Sequence, residues 1–198
     1  IGWSYLIAAC VQLLANGRSL IVAVAWALLS AINIAEFAGW LDWLAPVKSS
    51  VWIVSSGSLP ALTVAGSFVS TVYLERFSGR ESSRFLLSLL AFGAATLTLG
   101  LLLRPLWGIS KIQATPAWTQ ICAGIGAISF ALTYYIVDRK GYANWTRWLK
   151  PAGVATLTCY LVPYVAYPLL STLGLEPPAA FRSGALGLIK SMLFAYLI

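Results

Sequence analysis

The 198-residue chain contains no histidine, so the commonest general base and the commonest metal ligand are both missing. Charge is scarce too: ten percent of the residues are charged, against roughly 25% in soluble domains, and water cannot be the main solvent for such a chain. The three cysteines, Cys10, Cys122 and Cys159, lie singly within apolar segments. That spacing excludes a paired metal or redox motif and suggests small buried hydrophobes. No glycine-rich phosphate loop and no metal-spaced carboxylate cluster is present, so no resident metal is expected.

What the chain has instead is apolar length. Sixty percent of it is hydrophobic, arranged in long continuous runs of the kind needed for helices of about 20 residues to cross a bilayer core of roughly 30 Å. Barrel strands would alternate with a period of two. The runs predict an all-α integral membrane protein, a polytopic bundle of about seven transmembrane helices. The predicted spans are Ile1 to Leu14, Ser19 to Ala35, Ser55 to Leu74, Phe85 to Leu103, Ala117 to Val137, Ala152 to Leu173 and Ser183 to Ile198. Ile1 to Leu14 reads as a truncated span and not as a signal peptide. The whole of residues 1–198 is expected to be a single transmembrane domain, the C-terminal portion of a longer chain and part of a larger bundle.

The loops between these spans alternate sides. One side carries eight basic residues: Arg18, Arg76, Arg80, Arg84, Arg139, Lys140, Arg147 and Lys150. The other carries four, Lys48, Arg104, Lys111 and Arg182. Lysine and arginine accumulate in cytoplasmic loops, so the first set is expected inside. The net charge of +7 then reflects orientation and contact with anionic lipid, not nucleic-acid binding. The sequon Asn144, Trp145, Thr146 falls on the cytoplasmic side and is read as chance.

A few polar residues stand out against this background. Lys190 lies eight residues past Arg182, about 12 Å into a helix. A charge at that depth marks a ligand or ion path, a structural ion pair or a snorkelling side chain. Trp26, Ser30, Asn33 and Phe37 share one face of the second helix, with Glu36 beside it, and that face should look inward. Thr156, Tyr160, Tyr164 and Tyr167 recur similarly in the sixth helix, where Pro163 and Pro168 suit either a cavity wall or simple kinks. The third helix carries Thr63, Ser67, Ser70 and Thr71, for which packing between helices is the favoured reading.

Two loops look structured. WGISKIQATPAW, Trp107 to Trp118, brings Ser110, Lys111 and Thr115 between interfacial tryptophans. It suits ligand contact, while Thr115 with Pro116 also reads as an ordinary helix start. DRKGYANWTRWLKPAG interleaves Arg139, Lys140, Arg147 and Lys150 with aromatics, and suits phosphate groups or anionic headgroups equally.

At these loops the chain resembles a known family. ISKIQATPAW, IVDRKG and KPAGVATLTCYL, with GWSYLIAA at the start, are similar to the C-terminal half of bacterial membrane proteins related to heparan-alpha-glucosaminide N-acetyltransferase, within the wider membrane acyltransferases. The resemblance covers most of the chain and is most specific from Trp107 to Leu161. It implies an enzyme of the bacterial inner membrane that passes an acetyl group from acetyl-CoA to an extracytoplasmic amino sugar. Lys111 looks like the family's loop lysine, and Asp138, Lys140 and Gly141 look like its pattern after the fifth helix. On this reading Lys111, Ser110, Thr115, Trp118, Asn33 and Glu36 meet the sugar acceptor. Arg139, Lys140, Tyr160, Tyr164 and Lys190 attend acetyl-CoA.

The chain departs from the family in one respect. The family's histidine and its aspartate-alanine-leucine-arginine-glycine stretch belong to the N-terminal half, and neither occurs here. The catalytic group is therefore expected upstream of Ile1, and an inactive relative fits as well. Two other classes compete. A transporter or channel would use Lys190, Asn33 and Glu36 as a midplane path. A structural subunit would use Gly124, Gly126, Gly184 and Gly187 as helix contacts. Homo-oligomerisation stays open.

Overall fold

The computed structural model describes residues 2–44, 57–77, 82–148, 150–154, 156–174 and 189. Regular structure among them is entirely helical. The chain divides after Lys140 into two compact units.

The first unit contains α1 (Gly2–Ala15), α2 (Ser19–Phe37), α3 (Ser58–Phe77), α4 (Ser82–Trp107) and α5 (Pro116–Tyr134). A tight reversal joins α1 to α2. Asn16 and Gly17 take left-handed backbone there, with φ of 45° and 78°, a conformation that asparagine and glycine tolerate best. Helix α5 runs on without a break into a π turn, Tyr135–Arg139. Its marker is the Lys140 N–H, which bonds to the carbonyl of Tyr135 five residues back at 3.0 Å.

Three helices among the described residues are long and apolar enough to cross a membrane, namely Ser19–Phe37, Ser83–Trp107 and Pro116–Arg139. The expected seven are not reached, for three different reasons. Helix α1 has 14 residues and the helix Thr156–Thr172 has 17, about 21 and 26 Å, and both fall short of the hydrocarbon. Helix α3 has 20 residues, which is long enough, but it carries Ser58, Thr63, Ser67, Ser70 and Thr71. The expected seventh span, 183–198, lies outside the described residues apart from Ile189.

Helix α3 sits among its neighbours, packing on α1, α2, α4 and α5. A helix packed on four others needs less of a lipophilic coat, which suits its modest apolarity. Its hydroxyls turn back on their own backbone: Thr63 donates to Leu59 O at 2.9 Å, Ser70 to Gly66 O at 3.1 Å and Thr71 to Ser67 O at 2.8 Å. Gln12 of α1 crosses to it, donating to Ser67 O at 3.2 Å and to the Thr71 hydroxyl at 2.7 Å. Hydrogen bonds of this kind hold helices together where lipid provides no hydrophobic drive.

The closest helix pair is α4 with α5. A β-carbon added to Gly124 would lie 2.8 Å from Gly93 O and from Leu97 N, and one on Gly100 would lie 2.8 Å from Ile121 N. Glycine is required at both positions because the backbones touch. Aromatic rings knit the remaining helices. Phe92 of α4 meets Trp26 of α2 at 5.0 Å and Phe68 of α3 at 4.8 Å between ring centroids. Nearer the π turn, Phe85 packs edge-on to Tyr134 at 5.0 Å and to Tyr73 at 5.5 Å. Such tilted and edge-to-face pairs match positive ring edges to negative faces.

The second unit holds a short 3-10 segment, Asn144–Trp148, a one-turn helix, Lys150–Val154, and α6, Thr156–Thr172. Within the predicted sixth span, Ala152 to Leu173, helix α6 has 17 residues and does not reach the length of a membrane crossing; Gly174 follows it at φ 67°.

Cys10 is exposed and Cys122 half-buried, which corrects the expectation of buried thiols. In a bilayer an apolar position need not be an interior one, because lipid is as apolar as leucine.

Candidate functional site

The loop between α4 and α5 is built around one side chain. Thr115 is fully buried, at 0% exposure, and its hydroxyl donates to Gly108 O at 3.1 Å. The same oxygen accepts from Ser110 N at 3.1 Å and from Trp118 N at 3.4 Å. The last bond is the N-cap of α5, with Pro116 in the first turn, where a missing N–H costs nothing. Ser110 adds a bond from Gln113 N at 3.2 Å. Ala114 closes the loop at φ 55°, a left-handed conformation that costs a non-glycine residue roughly 1–2 kcal/mol. Lys111, Ile112 and Gln113 form the exposed apex.

Asn33 clamps this loop from α2. It is 1% exposed, and its Nδ2 donates to Ala114 O at 3.3 Å. Its Oδ1 faces the Thr119 hydroxyl at 3.5 Å, and Thr119 lies 2.6 Å from the Ser58 hydroxyl of α3. Three helices therefore meet in one polar layer beneath the loop. Gly57 allows it, since a β-carbon there would collide with Leu29 O of α2. One turn below Asn33 lies Ser30, and next after Thr119 comes Gln120; both are buried, at 5% and 1% exposure.

Of the residues expected to meet an acceptor, Asn33, Ser110, Thr115 and the Trp118 backbone converge here, and Lys111 projects above them. Glu36 is half-buried in the last turn of α2, one turn beyond Asn33. Ser58, Thr119 and Gln120 belong to the layer but were missed from sequence. The available signal was a Thr-Gln pair directly after the TPAW motif, polar residues inside an otherwise apolar span.

At the opposite end of α5 the π turn carries Arg139, whose Nη1 donates to the Ser83 hydroxyl at 3.0 Å. Lys140 Nζ stands 5.6 Å from the centroid of the Tyr135 ring, within cation–π range. Both cations are exposed. The other residues expected at a donor site belong to the second unit. Tyr164 is an exposed residue of the second unit, while the side chain of Tyr160 and all of Lys190 lie outside the description. Among the described residues no group of three or more histidine, cysteine or acidic side chains could hold a metal.

Two grooves open on α3. One of about 640 Å³ runs between α1 and α3, with Tyr5, Gln12, Thr63, Ser67 and Ser70 in its walls. Another of about 280 Å³ lies between α3 and α5, beside Gly66, Cys122 and Gly126. Neither is lined by the Lys111 loop.

The described residues form an all-helical protein with three helices long and apolar enough to cross a membrane, which suggests an integral membrane protein. No family model matches it, and no curated protein and no solved structure is significantly similar.

Proposed function

We propose that this chain is the C-terminal bundle of a bacterial inner-membrane acyltransferase that passes an acetyl group from acetyl-CoA to an amino sugar on the extracytoplasmic side. One observation carries the reading: a single helix has an ordered lysine-bearing loop at one end and a pair of exposed cations at the other. The segment Pro116–Arg139 contains 24 residues, about 36 Å of helix, and so matches a bilayer core of roughly 30 Å. Lys111 and the pair Arg139 and Lys140 therefore belong to opposite membrane faces. Transfer across a bilayer needs two such mouths, cationic where the polyanionic nucleotide arrives and polar where the sugar waits.

In this scheme Lys111 and Glu36 touch the acceptor. Thr115 and Asn33 hold the loop that presents Lys111, and the Thr115 hydroxyl proton is already given to Gly108 O. Arg139 and Lys140 bind the donor phosphates. The base that accepts the amine proton comes from outside this chain, since no histidine is present. The test is acetyl transfer by the full-length protein beside its Lys111→Ala variant. Donor binding with loss of turnover in the variant agrees with the scheme, whereas absence of any acyl-CoA binding by the folded protein overturns it in favour of transport.

A further inference from the structure

Lys111 stands between two bare isoleucines. Ile112 is 98% exposed and Ile109 50% exposed, and Lys111 is exposed with them. Backbone hydrogen bonds fix the segment that carries them, since Ala114 N donates to Lys111 O at 3.2 Å and Thr115 N to Ser110 O at 3.1 Å. A cation and hydrocarbon are thus presented side by side. The 24-residue segment Pro116–Arg139 is about 36 Å long, against a hydrocarbon core of roughly 30 Å inside a bilayer of about 40–45 Å. The loop before Pro116 therefore stands among the headgroups.

These features select among amino-sugar acceptors. A lysine ammonium attracts an anion, whereas the amine of a sugar is neutral or cationic, so Lys111 must meet another part of the acceptor. A free amino sugar offers it no anion. An anionic polysaccharide offers the anion but no apolar surface for the isoleucines to bury. An amino sugar esterified through phosphate to a hydrocarbon chain in the bilayer satisfies all three residues. Its phosphate oxygens accept from Lys111, and its chain covers Ile109 and Ile112.

We propose that the acceptor is an amino sugar carried on a lipid phosphate in the extracytoplasmic leaflet, recognised by Lys111 together with Ile109 and Ile112. This substrate class presupposes the acetyl-transfer reading and narrows it. The step balances without a further reactant: the amine nitrogen bonds to the acetyl carbon, the thioester C–S bond breaks, and the proton lost from nitrogen ends on the sulfur of CoA.

The test uses the full-length protein in phosphatidylcholine nanodiscs, with ligand binding followed by native mass spectrometry and acetyl-CoA binding measured on the same samples. Dodecyl glucosaminyl phosphate should bind about tenfold or more tightly than either free glucosaminyl phosphate or dodecyl phosphate. Lys111→Ala should weaken the dodecyl ester several-fold, and Lys111→Arg should restore it. Ile112→Ser should weaken the dodecyl ester and leave the free sugar phosphate unchanged. Equal binding of the dodecyl ester and the free sugar phosphate overturns the proposal. So does equal binding of dodecyl phosphate, because the loop would then be a plain bilayer contact. Where acetyl-CoA still binds in those cases, acetyl transfer stands and the acceptor class alone falls; a folded protein that binds no acetyl-CoA loses both.

Discussion

Asn33 donates a hydrogen bond from Nδ2 to the carbonyl oxygen of Ala114 at 3.3 Å, joining α2 to a residue held in left-handed backbone at φ 55°. The clamp sits at the point of greatest strain in the α4–α5 loop. From the other side, the Thr115 hydroxyl ties Gly108, Ser110 and Trp118 together. The loop is thus held in one conformation, and Lys111 at its apex is exposed yet positioned.

That arrangement predicts the behaviour of the Lys111 peptide bond toward trypsin. Thr115→Val removes the cap and the loop ties, and Asn33→Leu removes the clamp; each should destabilise the closed loop by about 1–2 kcal/mol. The open form then becomes roughly 5- to 30-fold more populated. Cleavage after Lys111 in detergent-solubilised protein should accelerate accordingly, since proteolysis tracks the open population. Equal cleavage rates in the variants and the unaltered protein would show that the clamp does not order the loop.

A second prediction contrasts two glycines on one helix. Gly124 faces the α4 backbone, and a β-carbon on it would come within 2.8 Å of Gly93 O; Gly126 has nothing within 4 Å of that position. Gly124→Ala should force the helices apart and destabilise the bundle by about 1–3 kcal/mol. Gly126→Ala should be neutral or slightly stabilising, because alanine suits a helix interior better by roughly 1 kcal/mol. Thermal unfolding of both variants in the same detergent decides it, and an equal effect would remove the argument for backbone contact between α4 and α5.

Several of these relationships are visible in the sequence, and the reasons are local. The Thr115-Pro116 helix start needs only adjacent residues, and the cap forms as expected. The inward face of α2 follows from spacing alone, and Ser30 and Asn33 are buried. The third-helix hydroxyls, expected to bond between packed helices, bond mostly back to their own backbone, and Thr71 also accepts from Gln12 of α1. What escaped were the partners. Ser58 meets Thr119 across 61 residues, and Asn33 meets it across 86, separations that no periodicity encodes. Helix α4 also runs past Arg104 and Pro105, where a charge and a proline suggest an end. The π turn leaves no mark in composition, since one extra residue per turn changes hydrogen bonding without changing which residues are apolar.

The third prediction concerns orientation. With Cys10, Cys122 and Cys159 replaced by serine, a cysteine at Gln113 should react with an impermeant thiol reagent added to intact cells, and a cysteine at Ala143 should not. Alternation of the loops read from the sequence puts eight basic residues on the Ala143 side against four on the Gln113 side, the bias expected of a cytoplasmic face. The reverse labelling pattern would invert the topology and exchange the donor and acceptor ends.

The fourth prediction addresses the donor end of α5, where Arg139 is braced by Ser83 at 3.0 Å and Lys140 stands over Tyr135. Exposed cations attract a polyanion through a field that salt screens over about 8–10 Å at physiological ionic strength. Acyl-CoA affinity of the full-length protein should therefore weaken as salt is raised. Arg139→Ala with Lys140→Ala should lower affinity and flatten that salt dependence, because the charges that generate it are gone. Ser83→Ala should weaken binding less and leave the salt dependence steep, since it frees the guanidinium without discharging it. Isothermal titration with acetyl-CoA across a salt series separates these outcomes. A salt dependence unchanged in the double variant would mean that other cations receive the nucleotide, and the donor site would have to be sought away from the π turn.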